Sequence, residues 1–517
     1  MIRSFLTVSS GTLTSRLLGF ARDAMIAALL GTGAVADAFL VAFQLVNVVR
    51  RLLSEGALNA ALVPAWLRLR DTDGALAASA FAGRVLGTVS AAMIVAAALL
   101  GLLMPFVIAV LAPGFTGRET LQFAVDDARL MLPYLAFAGP VTVMLALASA
   151  QSRFVLTAFS PVLFNIALIA VMVALILIPH DAGMAALVLA ATVGVAGFLQ
   201  LLILAQRRRG EAMATPLRVS LDTDMRGFLA RALPGMAASA APQLLIVAGA
   251  VIASASPSAV SWLYFANRLI ELPLGMVGVA MGTVLIPELT RALQGGDKST
   301  IAHAESRALE LSIGLALPAT LGLIVLNEPI VRLLFEHGAF TAADTAATAR
   351  ALVWLALGLP AQVLVKALSP AFFAREDTLA PLWATSKAVV VAIVSSVLLG
   401  YFFGAAGIAA GIALGAWSNA LSLIRQGAAS FGFSVDQAAR RRLPRIVAAV
   451  LIMGGLLWLA TSMIVAPLHG LAQAVILLLT MIGGIAVYTL FLALFAVTSW
   501  REAVNAVRQG KPRDLRA

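Results

Sequence analysis

Apolar stretches of about 20 residues or more recur from one end of the chain to the other, each long enough to cross a bilayer as a helix. On that length rule about fourteen spans are predicted, near 5–30, 35–62, 80–111, 124–150, 157–178, 183–206, 228–253, 260–287, 303–326, 345–370, 378–402, 406–425, 443–466 and 470–497. They are rich in Ala, Leu, Val and Gly, small and apolar residues that let helices in lipid approach closely. The pattern predicts an all-α polytopic membrane protein.

The polar breaks between spans alternate in character. One set holds Arg68, Arg70, Arg153, Arg207, Arg208, Arg209, Arg218, Arg226, Arg291, Lys298, Arg375, Arg440, Arg441, Arg442 and Arg445, followed by a basic tail. The other set holds Gly31-Thr32-Gly33, Pro179-His180-Asp181, Ser254-Ala255-Ser256-Pro257, Gly404 and Pro467-Leu468-His469, with Arg118 and Arg332 as its cations. By the positive-inside rule the first set is cytoplasmic and both termini are expected inside, with which an even number of spans agrees. The net charge of +11 is therefore a topology signal. No nucleic-acid partner is expected, and lipid headgroup contact is a secondary use of the same charge.

Composition agrees. Of 517 residues, 61% are hydrophobic and 12% charged, too few charges for the surface of a soluble chain of this length. There is no Cys, which excludes disulfides and thiolate metal sites. The first apolar stretch carries internal charges and no clear small-x-small cleavage site, so it is expected to be a retained span rather than a signal peptide.

A weak internal repeat runs at an offset of roughly 220–225 residues, the kind of internal symmetry expected of transporter halves. Val63-Pro64 aligns with Ile286-Pro287, and Gly114-Phe115-Thr116 with Ala339-Phe340-Thr341. Arg153 followed by Ser160-Pro161 aligns with Arg375 followed by Ala380-Pro381. Six spans per copy put both copies in one orientation, a parallel repeat. The expected organisation is an N-terminal lobe at 1–210, a C-terminal lobe at 211–425, a basic linker at 426–442, two added spans at 443–497 and a basic tail at 498–517.

Against this apolar background a charged run stands out: Ser15-Arg16-Leu17-Leu18-Gly19-Phe20-Ala21-Arg22-Asp23, followed in the next span by Asp37, Asn47, Arg50, Arg51 and Glu55. Charges at membrane depth are expensive and mark substrate paths or paired partners. Arg16 and Asp23, nearly two helical turns apart, share a face. The bland alternative is a structural ion pair of Arg16 or Arg22 with Asp23. Shifted by the repeat offset, the cluster falls on the uncharged stretch 237–247, so it belongs to one half and is not an architectural need of both. The second half brings Arg268, with Glu271 at i+3 as an available partner. Several buried arginines suit a phosphate-bearing substrate, because the guanidinium fork binds phosphate oxygens bidentately and stays charged when desolvated. Arg50 and Arg51 have snorkelling to the interface as their alternative, and Lys366 and Lys387 are expected to line or snorkel.

Enzyme chemistry finds little support. The four His, at 180, 303, 337 and 469, show no metal spacing, and no Gly-x-Ser-x-Gly or Walker-type loop occurs. No catalytic residue, metal or cofactor is expected. Without a nucleotide site, transport is expected to draw on an ion gradient, the membrane potential or the substrate gradient.

The run Ser9-Ser10-Gly11-Thr12-Leu13-Thr14-Ser15-Arg16-Leu17-Leu18-Gly19-Phe20-Ala21-Arg22-Asp23 resembles the opening signature of the MurJ/MviN lipid II flippases, of the multidrug/oligosaccharidyl-lipid/polysaccharide exporter superfamily. The likeness continues through Asp37-Ala38-Phe39, Asn47-Val48-Val49-Arg50-Arg51-Leu52-Leu53-Ser54-Glu55-Gly56-Ala57, Ala112-Pro113-Gly114-Phe115, Val260-Ser261-Trp262-Leu263-Tyr264, Arg268-Leu269-Ile270-Glu271 and Val365-Lys366-Ala367-Leu368-Ser369-Pro370. The resemblance implies a flippase moving lipid II, undecaprenyl-diphosphate-linked disaccharide-pentapeptide, across the bacterial cytoplasmic (inner) membrane by alternating access. Membrane lipids and cell-wall synthesis proteins are the further partners it implies. It further implies that Arg16, Arg22 and Arg268 line a central cavity and hold the diphosphate, that Asp37, Arg50 and Glu55 are functionally sensitive, and that the last two spans take the lipid tail. The chain departs from the family in two places: Gln44-Leu45-Val46-Asn47 stands where Lys-Leu-Pro-Asn is usual, and Asn267 where Asp is common. A flippase for another polyprenyl-linked glycan and a multidrug or cation antiporter of the same superfamily are the alternatives, and a membrane enzyme acting on polyprenyl phosphates is the rival from another class.

Overall fold

The computed structural model describes residues 2–54, 57–151, 153–205, 214–281, 291–292, 298–373, 375, 377, 379–433, 435–463 and 470–497. Among these residues there is no strand, and the regular structure is helical. The helices are α1 (Ile2–Leu30), α2 (Ala34–Ser54), α3 (Ala57–Thr72), α4 (Gly74–Leu111), α5 (Glu119–Ala150), α6 (Phe154–Ile176), α7 (Ala182–Ala205), α8 (Thr223–Ala253), α9 (Ala259–Ala280), α10 (Lys298–Val325), α11 (Asn327–Phe335), α12 (Ala342–Phe373), α13 (Leu379–Phe431), α14 (Gln437–Met463) and α15 (Gly470–Leu494). A 3-10 turn, Pro113–Phe115, follows α4.

Among the described residues nine helices are long and apolar enough to cross a membrane. The exposed side of α4 shows why such helices need lipid. Leu99, Leu102, Leu103, Phe106 and Val110 stand out at helical spacing, Leu102 being 78% exposed, while Met104 and Ile108 on the other face are buried. α1 and α2 are not among the nine. They are the helices that hold Arg16, Arg22, Asp23, Asp37, Arg50 and Arg51.

Three expectations need correction. The expected span 35–62 is not one helix, because α2 ends at Ser54 and α3 starts at Ala57. Apolar residues continue across the break, so a length rule passes over it. The interval between 326 and 345 contains the short helix α11 rather than loop alone. Within 426–442, helix runs on to Phe431 and resumes at Gln437, so little of that stretch is linker. The expected break between 402 and 406 is present as a kink inside α13, where Gly404 takes φ 57, ψ −137, a conformation open to glycine.

Packing groups the chain into two compact units. Unit 1 holds residues 1–265 together with the ten-residue segment Phe335–Asp344. In it α5 packs on α2, α4 and α7, and α1 packs on α6. Glycine sets the approach of α7 to α5: a Cβ at Gly194 would stand 2.6 Å from the Leu130 carbonyl oxygen, and one at Gly197 2.9 Å from the Tyr134 ring. An extended strap, residues 214–222, lies along α4. Ser79 Oγ accepts from Thr215 N (3.2 Å), Thr88 Oγ1 accepts from Ser220 N (3.1 Å), and Arg84 pairs with Asp222 and Asp224. Asp222 then caps α8 by accepting from Met225 N (2.9 Å). The Phe335–Asp344 segment is clipped on by Ala339 N, which donates to Ala28 O (2.8 Å), and by Phe335 and Phe340 packed on Phe265.

Unit 2 holds residues 266–334 and 345–517. Leu364, Leu368, Phe372, Ala384, Ala420 and Leu423 form one of its cores, across α12 and α13. α14 packs on α10 and α15, with Gly454 against Leu321 and the Tyr488 hydroxyl donating to Gly314 O (2.7 Å). Glu305 of α10 is buried and takes an ion pair from Arg375 (3.0 Å), whose guanidinium lies 3.8 Å from the Phe431 ring centre.

Candidate functional site

A guanidinium inside a helix bundle needs acceptors for its N–H groups and something to lie on, and α1 by itself offers only Asp23 as a side-chain acceptor. The fold supplies both at Arg22, which is 8% exposed. Its Nε (2.9 Å) and Nη2 (2.6 Å) donate to the same oxygen, Asp23 Oδ1. Its Nη1 donates to Asn165 Oδ1 on α6 (3.0 Å). Asn165 in turn donates from Nδ2 to the Ser15 carbonyl of α1 (3.1 Å), so one amide ties the guanidinium and the α1 backbone together. The guanidinium carbon lies 5.0 Å from the Phe43 ring centre and 5.8 Å from that of Phe164. Those rings belong to a column in which Phe39 stacks on Phe43, Phe43 on Phe164, and Tyr134 meets Phe164 edge-on. Aromatic faces attract a desolvated cation through the ring quadrupole, and Arg is the cation that suits them. Asp23 is fully buried, and the Tyr264 hydroxyl donates to its Oδ1 over a long 3.4 Å.

The ion pair weighed as the structural alternative is thus present, between chain neighbours whose side chains leave the helix in different directions. Arg22 reaches back because its long stem can. Arg16 is half-buried on the same helix.

Asp37, 2% exposed, does a different job. Its Oδ1 accepts from Ser261 N (2.9 Å) and from Ser261 Oγ, in the first turn of α9. A carboxylate from α2 therefore caps α9, satisfying an N–H that the helix leaves open and meeting the positive end of its dipole. Beside it Asp344 accepts from Thr32 Oγ1 (2.6 Å) and Trp262 Nε1 (3.0 Å). It also closes a capping box with Thr341 at the start of α12. Farther along α2, Arg50 Nη2 donates to Asn47 Oδ1 (3.3 Å), and Arg50 and Arg51 are half-buried. Glu55 lies outside the described residues. Arg268 belongs to unit 2 and pairs with Glu271 at 2.7 Å, the i+3 partner its spacing predicts.

Unit 1 thus brings Arg22 and Asp23 into one constellation with Tyr264, which lies in a family-like stretch, and with Asn165, Phe43 and Phe164, which the sequence reading did not single out. An Asn in the otherwise apolar run Leu163-Phe164-Asn165-Ile166-Ala167-Leu168 was the available signal for the amide. Among the described residues no group of His, Asp and Glu has the arrangement of a metal site.

A multi-pass helical membrane protein with ionic groups buried among its helices has the build of a carrier for polar or charged cargo rather than of an anchor. Comparison with known proteins identifies the family. Residues 26–480 match the family model described as "Lipid II flippase MurJ". A relative from Rhizobium meliloti (strain 1021), named "Probable lipid II flippase MurJ", is 37% identical over 94% of this chain and 91% of its own length. Among solved structures, "Lipid II flippase MurJ, inward closed conformation" is similar over 96% of this chain and 100% of that one, with a TM-score of 0.78 at 21% identity. An inward-facing multidrug resistance MATE family transporter of the MOP superfamily is similar over 86% of this chain and 99% of that one, with a TM-score of 0.66 at 14% identity. The chain belongs to the lipid II flippase MurJ family, and both structures share its fold. The family match begins at residue 26, so Arg16, Arg22 and Asp23 lie before the matched stretch.

Proposed function

We propose that this chain is a lipid II flippase of the bacterial inner membrane, carrying undecaprenyl-diphosphate-linked disaccharide-pentapeptide from the cytoplasmic to the periplasmic leaflet. The observation that carries this reading is family membership, a match over 26–480 with a named relative 37% identical along nearly the whole chain. The physical problem fits the architecture. A charged sugar-peptide head cannot cross hydrocarbon unaided, whereas a polyprenyl tail never needs to leave it. Two six-span lobes, 1–210 and 211–425, take the head by alternating access, and residues 443–497 guide the tail. Both termini lie in the cytoplasm, as the loop charges require. The chain works as a carrier without catalysis, and lipid II is its cargo.

Arg16, Arg22 and Arg268 are the residues assigned to the diphosphate. Asp23, Asp37, Asn47, Arg50, Arg51 and Glu55 are assigned to its surroundings. Support comes from the desolvated guanidinium of Arg22 and from the surplus of cations over acids in the first two helices. The test is flipping of labelled lipid II in proteoliposomes by alanine and lysine variants at matched protein level. Each of Arg16→Ala, Arg22→Ala and Arg268→Ala is expected to remove one charge-assisted contact, about 1.5–3 kcal/mol or roughly ten- to a hundredfold in binding. Lysine is expected to rescue poorly, since a point charge does not reproduce the fork. Exposed Lys387, changed to Ala, is the control and should matter far less. Normal flipping by all three arginine variants sinks the site. Transport of a different polyprenyl-linked glycan in place of lipid II, in the same vesicles, sinks the cargo assignment while leaving the carrier.

A further inference from the structure

The Arg22 constellation divides its guanidinium between two kinds of neighbour. The Nε/Nη2 edge is given to one carboxylate oxygen of Asp23. That edge is also one with which a guanidinium takes hold of a phosphate, through two N–H groups side by side. The remaining neighbours leave it alone. Asn165 holds Nη1 at 3.0 Å, and Phe43 and Phe164 lie against the guanidinium at 5.0 and 5.8 Å. Asn165 is 5% exposed, and its second hydrogen bond goes to the Ser15 carbonyl rather than to another side chain.

We propose that Asn165 is a positioning residue for Arg22, and that Asp23 is an internal anion that competes with the lipid-linked diphosphate for the Nε/Nη2 edge of Arg22. The proposal rests on the reading of Arg22 as a diphosphate ligand. A carboxylate and a phosphate cannot occupy the same edge, so the two anions exchange. The amide and the rings can stay in place while they do, because none of them claims that edge. An amide also suits position 165 better than an acid: it accepts from Nη1 without adding a second negative charge that would repel the phosphate. Asp23 does not lose every donor on displacement, since the Tyr264 hydroxyl stands 3.4 Å from the same Oδ1. A buried carboxylate left with no donor would be strongly unfavourable, and exchange would then stall. The ion pair thus works as a return spring: it ensures that bound diphosphate can be let go.

Opposite signs make this testable. The full-length chain in lipid nanodiscs is titrated with undecaprenyl diphosphate, comparing wild type with Asn165→Ala, Asp23→Asn and Arg22→Ala, with thermal unfolding of each recorded. Asn165→Ala should weaken binding about tenfold, the loss of one hydrogen bond to a charged group. Asp23→Asn should tighten it severalfold. In proteoliposomes, Asn165→Ala should raise KM for lipid II with kcat kept, while Asp23→Asn should lower both KM and kcat as release slows. Asn165→Ser and Asp23→Ser, polar but too short to reach Arg22, carry the test if the first variants fail to fold. If Arg22→Ala abolishes binding while the two neighbours shift it in the same direction, or not at all, Asn165 and Asp23 are structural only and the inference falls by itself. If Arg22→Ala binds normally, the diphosphate reading falls and takes this one with it.

Discussion

The cap that Asp37 places on α9 offers a sharp energetic test. Asp37→Ala deletes two hydrogen bonds to one buried carboxylate, from Ser261 N and Ser261 Oγ, and leaves an N–H of the first turn of α9 without that acceptor. Bonds to a charged group contribute about 1.5–3 kcal/mol each, and the hydroxyl can turn to another acceptor, so a net loss of about 3 kcal/mol is expected. Asp37→Asn keeps an oxygen at the same place and loses only the charge and its attraction to the helix dipole, about 1 kcal/mol. Ser261→Ala removes the hydroxyl bond but not the backbone one, and should fall between them. Unfolding by SDS in mixed micelles, followed by far-UV circular dichroism, reads these differences as free energies. The double variant Asp37→Ala with Ser261→Ala should cost less than the two singles added, because both remove the same bond. Strict additivity, or an Asn variant as damaging as the Ala variant, refutes the cap.

Acid should weaken the ends of α8 and α14. The carboxyls of Asp222 and Asp436 are held below the ordinary value of 3.8, first by the Met225 and Ala439 N–H groups they accept from. A lowered folded value means stability present above the ordinary value and lost as pH falls through the folded one. The difference in melting temperature between wild type and Asp222→Ala, whose charged neighbour Arg84 does not titrate, should therefore be constant near neutrality and close only below about pH 4. Gly87→Ala should lift the strap from α4, since a Cβ there would stand 2.5 Å from the Arg218 carbonyl oxygen, and mass spectrometry should show faster tryptic cleavage after Arg218. Single cysteines at Ser256 and Arg208, in a chain that has none, should label from outside and inside respectively; the reverse pattern rejects the topology.

What could be read in the sequence was what is local. Arg268 and Glu271 sit three apart on one helix, and they pair. Glycine between two apolar stretches marked the kink at Gly404. Span length found the lipid-facing helices, because bilayer thickness sets that length directly. It passed over the break between Ser54 and Ala57, where hydrophobicity does not change. What stayed hidden was long-range: Asn165 meets Arg22 across 143 positions, and Ser261 meets Asp37 across 224. No periodicity carries such pairings. A polar residue in a membrane span announces that it has a partner, but not which one.

The strap on α4 also sets how much slack the chain has between α7 and α8. Seventeen residues separate Ala205 from Thr223, and as a free tether they would reach about 60 Å. With residues 214–222 fastened to Ser79, Gly83, Gly87 and Thr88, only the eight residues 206–213 remain to bridge the gap, a reach of roughly 30 Å. A tag or reporter inserted at 206–213 would leave the fastening of 214–222 intact, whereas the same insertion at 214–222 would undo it.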